Sequence, residues 1–350
     1  MKRQILLVLL LFILAHFKAI SQDIHYSQFY NAPFNINPGL TGIFSGDIRL
    51  MANYRSQWSS VPADFKTVTM GGDIKIRGAE ISTGFFAVGF HFNYDQAGFT
   101  NLAHSNFSIP VSYTKRISRR FFTSVGFQLS SHQRRFSLKG ISFDSQYTNP
   151  GGYDPNNPNN EVVNDLPNNN FIDFSAGINF RLQSLADNQL LYPQRNRSKL
   201  DFGLGVFHLT RPNQSFVEGG TLLLPIRISP YAYGTMMINP KLDLIGSLGA
   251  QVQDQYLEAL AGISAKYHVS TDPGNEVAIQ AGINLRFQDF GDAYSPTFEL
   301  FYKNWRASFS YDVNISGFNA ATRGNSGPEF SISYIIKKIP LLSPDNCRLL

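Results

Sequence analysis

The stretch STGFFAVGFHFNYD, residues Ser82 to Asp95, decides the fold class. Its even positions are Phe86, Val88, Phe90, Phe92 and Tyr94, and its odd positions include Thr83, Gly89, His91, Asn93 and Asp95. Successive side chains of a strand point to opposite faces. This strand therefore has one greasy face and one polar face.

The same period of two recurs along the chain. Ile172, Phe174, Ile178, Phe180 and Leu182 oppose Asp173, Ser175, Asn179 and Arg181. Val277, Ile279, Ala281, Ile283, Leu285 and Phe287 oppose Glu276, Gln280, Asn284, Arg286 and Gln288. Ala307, Phe309, Tyr311 and Val313 oppose Arg306, Ser308, Ser310, Asp312 and Asn314, and Phe330, Ile332, Tyr334 and Ile336 oppose Glu329, Ser331, Ser333 and Lys337. The pattern predicts about fourteen strands, near 45–58, 63–77, 82–95, 101–116, 119–135, 170–183, 198–209, 219–237, 241–253, 256–268, 276–289, 295–303, 305–315 and 327–338. Strands of soluble proteins cluster near 5–6 residues, whereas a tilted membrane strand needs about 9–11 in lipid. The fold class expected is all-β, a transmembrane antiparallel β-barrel. Tyr54, Tyr94, Tyr113, Tyr267, Tyr302 and Tyr334 fall near the ends of apolar faces, as an interfacial girdle requires. A soluble β-sandwich also alternates, but with shorter strands.

Residues 1–21 read as a secretory signal peptide. Lys2 and Arg3 precede the apolar run Ile5 to Ala15, and Ala19 and Ser21 are small residues before a cut at Gln22. That run is too short for a membrane-spanning helix. Removing it takes away Lys2, Arg3 and Lys18, so the formal net charge of +5 drops by three to +2. Such a balance gives no case for nucleic-acid binding. The single cysteine, Cys347, excludes an intrachain disulfide framework. Four segments are expected: 1–21, 22–44 as a periplasmic or lumenal N-terminal segment, 45–338 as the barrel in the outer membrane, and 339–350 as a periplasmic tail.

With both termini periplasmic, odd-to-even connections are extracellular and longer. The polar, Pro/Asn-rich run at 136–169 fits an exposed loop, and short turns fall near Ile117-Ser118, Asn239-Pro240 and Asn304. Two connections break the rule, a long one at 184–197 inside and a short one between strands nine and ten outside. The expected inward set mixes both signs, among them Arg49, Asn53, Arg55, Asp73, Lys75, Asp173, Arg181, Asp201, Asp243, Glu258, Arg286, Glu299, Asp312 and Glu329. Mixed signs imply lumenal ion pairs. The histidines have no short metal-ligand spacing, so no metal or other cofactor is expected. Ser130 and His132 share a strand face, but no Gly-x-Ser-x-Gly elbow exists. The chain does not read as an enzyme, and no small-molecule substrate is expected.

Residues 23–42, DIHYSQFYNAPFNINPGLTG, have neither period. Pro33 and Pro38 force extended predecessors, and Asn31, Asn35, Asn37, Gly39 and Gly42 favour turns. Irregular backbone cannot lie in lipid. Tyr26, Phe29, Tyr30 and Phe34, with Asn37, Pro38 and Gly42, are the candidate cap, packed in the barrel or across its mouth.

Here the chain resembles the PorP/SprF family of type IX secretion system membrane proteins from Bacteroidetes. The matching residues are Ser27-Gln28-Phe29, Asn37-Pro38-Gly39, Gly42, the strand phrase Asn53-Tyr54-Arg55-Ser56-Gln57-Trp58, and His208 with Pro212-Asn213-Gln214-Ser215-Phe216. The C-terminus departs: it reads Cys347-Arg348-Leu349-Leu350 where the family often has a Cys-Pro-Arg-Phe ending. The resemblance implies a non-catalytic outer-membrane barrel whose partners are other type IX secretion components and a large secreted sorting-domain protein, such as a gliding-motility adhesin. Two alternatives stand beside it. One is an outer-membrane transporter of hydrophobic compounds like the fatty-acid transporters, which would need an apolar lumen. The other is a general porin, which would need an open one.

Overall fold

The computed structural model describes residues 23–58, 64–76, 84–98, 102–136, 143–148, 152–154, 157, 168–184, 197–217, 219–272, 274–288, 292–316 and 324–337. The expected signal peptide, the C-terminal tail with Cys347, and most of the connection at 136–169 lie outside the described residues.

The strands are β1 (Ile48–Gln57), β2 (Phe65–Ile76), β3 (Gly84–Ala97), β4 (Leu102–Arg116), β5 (Phe121–Arg135), β8 (Asn169–Gln183), β9 (Lys199–Phe207), β10 (Arg227–Asn239), β11 (Leu242–Gln253), β12 (Tyr256–Ser270), β13 (Val277–Gln288), β14 (Ala293–Tyr302), β15 (Trp305–Asn314) and β16 (Asn325–Ile336). A two-residue pair, β6 (Tyr147–Thr148) and β7 (Gly152–Tyr153), sits in the connection between β5 and β8. The other fourteen close into one antiparallel barrel, each paired with its chain neighbours. β1 meets β16 from Ile48↔Ile336 to Arg55↔Glu329, so the barrel closes with no free edge strand. This is the fold class expected from the alternation.

The barrel is an inverted globule. Phe86, Phe90, Phe92, Phe107, Ile109, Phe127 and Leu129 are exposed on its outside, Phe86 by 52%. The largest fully buried side chains are mostly polar: Arg286, His91, Gln28, Gln253, Gln280, Glu258, Glu299 and Glu329. In water the outer surface would be unstable; in hydrocarbon it is the favourable one. The expected aromatic girdle appears in Tyr54, Tyr113, Tyr267 and Tyr302, all turned outward, and Trp305 packs against Tyr334 with the rings tilted by 42° and their centres 4.5 Å apart.

One end carries the start of β1 and the finish of β16 and is called the terminal end. Its connections include the turns at 117–120, 240–241 and 303–304. The opposite, loop end carries the connections at 136–168, 208–226 and 315–324. Two strand starts differ from expectation by three residues or more. The first strand begins at Ile48, not 45, because Gly46 (φ 152°) turns the chain out of the lumen. The eighth barrel strand begins at Arg227, not 219. Residues 219–226 fold back on the mouth instead: Leu224 donates to the Pro212 carbonyl at 2.9 Å, and Gln214 to Leu222 at 2.8 Å.

Candidate functional site

Residues 23–47 run the length of the lumen. Asp23 contacts His208 and Arg227 at the loop end, and Asp47 pairs with Ile336 at the terminal end. Three short 3-10 turns, Phe29–Asn31, Pro33–Asn35 and Pro38–Leu40, carry the chain through. Pro33 and Pro38 stand at their first positions, where a missing N–H costs nothing. The Asn37 side chain caps the third by accepting from Gly39 N at 2.7 Å. The barrel wall supplies partners that the turns lack, from Glu329 to the N–H groups of Ser27 and Gln28 and from Asp73 to that of Gly42.

At the loop end the contacts are charged. His208, just past β9, bonds through Nε2 to Asp23 at 2.6 Å and through Nδ1 to Asp173 at 2.8 Å. Thr210 completes Asp173 at 2.9 Å, and Arg227 stands 3.3 Å from Asp23. Two carboxylates facing two ring nitrogens require an imidazolium, which donates from both. Burial works against that charge, but Asp23 and Asp173 outweigh it and push the His208 pKa up to about 9. Burial alone would raise the Asp23 carboxyl; the charges of His208 and Arg227 instead hold it far below the usual range. His208 also occupies the left-handed region at φ 61°, a backbone cost this bonding offsets.

Beside it lies a second charged network. Glu329 accepts the backbone N–H of both Ser27 and Gln28 at 2.9 Å. Asp312 takes Ser27 Oγ at 2.8 Å, Arg55 at 2.9 Å and Arg286 at 2.7 Å. Arg55 also donates to the His25 carbonyl at 2.6 Å. Buried charges are tolerable only when paired and hydrogen-bonded, and here each group closes on another.

The middle is held by shape. Phe29 packs with Ile36, Tyr231 and Leu260. Phe34 meets His91 edge-on at 5.6 Å, Tyr26 bonds Thr69 at 2.7 Å, and Tyr30 donates to Glu299 at 3.0 Å. The chain then presses on a row of three glycines that are cross-strand partners, Gly126↔Gly177↔Gly205. A Cβ on Gly126 would lie 2.4 Å from the Pro38 carbonyl, one on Gly177 1.8 Å from Asn37 Oδ1, and one on Gly205 2.1 Å from the Ile36 carbonyl. Asn37 also donates to the Ile178 carbonyl at 2.9 Å. Toward the terminal end Gly42, at φ 77°, donates to Asp73 at 2.7 Å, and Lys75 donates to the Phe44 carbonyl at 2.6 Å.

The sequence profile of the type IX secretion system membrane proteins PorP/SprF matches residues 19–334. The chain belongs to the PorP/SprF family.

Among solved structures, it is similar in shape to the toluene transporter TbuX of Ralstonia pickettii, with a TM-score of 0.47 and 11% identity over 87% of this chain and 92% of that one. It is also similar to the CymD monoaromatic hydrocarbon channel, with TM-score 0.49 and 9% identity over 88% and 93%. A third is a FadL homologue of Pseudomonas aeruginosa, with TM-score 0.46 and 14% identity over 85% and 91%. No curated protein matches the sequence.

The PorP/SprF phrases fall on the two sides of one contact. Asn53 donates to the Asn31 carbonyl at 3.2 Å, and Arg55 binds the segment as described, whereas Tyr54 points outward. Gln57 is buried at the loop end, and Trp58, at φ 57°, packs edge-on against Phe65 at 5.2 Å. Pro212, Asn213, Gln214 and Phe216 build the mouth loop that begins at His208. Asn213 accepts from Leu222 at 2.8 Å, Gln214 accepts from Arg134, and Phe216 lies 5.1 Å from Phe136 with Arg134 above it. Sequence reasoning missed the glycine row and the Asp23–His208 pairing. A signal for the former existed: Gly126, Gly177 and Gly205 each interrupt the polar phase of a strand, where a side chain was due.

Ser130 and His132 do not form a couple. Ser130 bonds Ser108 at 2.8 Å, and His132 bonds His104 at 2.9 Å. Among the described residues no group of three or more His, Cys, Asp or Glu has metal-holding geometry. A cavity of about 30 Å³ beside His104, His132 and Asp173 has room for about one water. The arrangement retains a peptide segment.

Proposed function

We propose that this barrel sits in the outer membrane, after loss of residues 1–21, with its loop end facing outward, and that it is a non-enzymatic support for a large secreted sorting-domain protein, such as a gliding-motility adhesin. It assists export of that protein, or its retention at the surface, together with other secretion components. The observation that carries this reading is the plug: residues 23–47 occupy the lumen from end to end and are bonded to strands all round it. A general porin needs that space open. A transporter of hydrophobic compounds needs an apolar conduit, and this lumen is lined by Asp73, Asp173, Asp312, Glu258, Glu299 and Glu329 with their cationic partners. What is left for binding is the mouth, where the loop at 208–226 stands beside the start of the plug.

Deleting the gene tests the reading. The expected result is a sorting-domain protein that stays in the cell or is shed into the medium. Normal surface display of every such protein in the deletion strain would overturn it. Purified barrel in planar bilayers is expected to show no steady conductance.

A further inference from the structure

We infer that the outer wall carries a binding groove for one anionic phospholipid of the leaflet at the terminal end. The groove has a volume of about 820 Å³ and opens on the face turned to the membrane. It follows one hydrogen-bonded row across six strands: Leu182↔Leu200↔Gly234↔Gly246↔Ile263↔Ile283. Elsewhere this face is studded with large apolar side chains. Here the two central members of the row are glycines, so the wall is notched to its backbone between leucines on one side and isoleucines on the other. The backbone there is satisfied by its ladder bonds, so the notch is apolar and stable in lipid.

The row climbs. Leu182 stands one residue from the terminal end of β8 at Gln183, whereas Ile263 stands seven from Ser270 and Ile283 six from Val277. Five interstrand steps of about 4.8 Å make the groove roughly 24 Å long. Strands tilted about 40° incline the row by the same angle to the membrane plane, a rise of roughly 15 Å. That is half of the ~30 Å hydrocarbon core, the depth of one leaflet. At its low end the lining is polar, with Ser184, Ser198 and the exposed Arg120. Among the described residues no carboxylate forms an ion pair with Arg120. An apolar trench one leaflet deep with an exposed guanidinium at its foot matches an acyl chain below a phosphate.

The inference rests on the proposed membrane orientation. Protease access to the 208–226 loop on intact cells tests that orientation by itself, while lipid retention is read on purified protein, so the two fail separately. The test is native mass spectrometry of the full chain in detergent, exchanged with phosphatidylglycerol or with phosphatidylcholine of equal chain length. The expected result is one retained phosphatidylglycerol, held about ten-fold over phosphatidylcholine. A Cβ on Gly246 meets nothing within 4 Å, so there is room for a side chain to start there, and Gly246→Leu places one in the trench. It is expected to cut retention at least ten-fold with unchanged thermal melting. Arg120→Ala is expected to abolish the headgroup preference while both lipids still bind. Retention unaffected by Gly246→Leu overturns the inference, and so does a wild-type dimer that Gly246→Leu dissociates, which would make the groove a contact between copies.

Discussion

The two halves of the plug are held by different physics. From Asp23 to Gln28 the grip is electrostatic: two networks, one around His208 and one around Asp312, bind the chain through side chains that can lose or gain a proton. From Ile36 to Gly39 the grip is steric, with backbone seated against glycine; Asp73 and Lys75 then hold Gly42 and Phe44 as the segment runs directly into β1. The first half can be released by pH, salt or a competing charge at the mouth. The glycine seat of the second is released by moving wall and chain apart. The loop-end half is thus the part of the plug that a partner at the mouth can reach and displace.

The contrast can be broken from either side. Arg55→Met leaves Asp312, Glu329 and the His25 carbonyl short of a partner, and an uncompensated buried charge costs about 3–5 kcal/mol. Thermal unfolding in detergent is expected to show that loss, and limited proteolysis to cut at 23–28 while 38–44 stays protected. Gly177→Ala drives a methyl group into Asn37 and is expected to cost about 3 kcal/mol, by overpacking. Its proteolytic pattern is expected to be the reverse, with exposure beginning at 36–40.

Titration sharpens the comparison without mutation. The pKa of His208 is raised in the folded protein, so its contribution is fully present below about 6.5 and fades as pH rises through about 9. The carboxyl of Asp23 is lowered, so its contribution is present above about 4 and is lost as pH falls below that. Hydrogen exchange of residues 24–28, corrected for intrinsic rate, is expected to quicken above pH 9 and in strong acid, while that of 39–44 changes little. His208→Gln is expected to remove the alkaline limb. The smallest effect is expected from Tyr54→Phe. Tyr54 lies inside a family phrase but faces the membrane, and its stability is expected to change by under about 0.5 kcal/mol.

Much of the site was readable by parity. Asn53, Arg55, Asp173, Arg286, Asp312 and Glu329 all belong to the polar phase of their strands, and all face the lumen. The aromatic, turn-rich run before β1 has no membrane-compatible structure, and so had to lie out of lipid. The false start at 219 has a physical cause as well. TLLLPIRI is apolar enough for a strand, yet Gly219 and Gly220 let the chain reverse, and Leu224 finds burial under the mouth loop instead of in the ladder.

The sequence by itself determined which side of the barrel strands is wet, that the barrel has about fourteen of them, and that residues 23–42 must be irregular. Period-two patterning is local, so it survives without any knowledge of neighbours. It carries no measure of depth along a strand or of who stands opposite across the lumen. That Asp23 reaches His208, 185 residues away, and that Gly126, Gly177 and Gly205 align into a seat for Asn37–Gly39, follow from strand register and barrel closure. Those are properties of the assembled cylinder, in which the stagger of each pair is set by all the others.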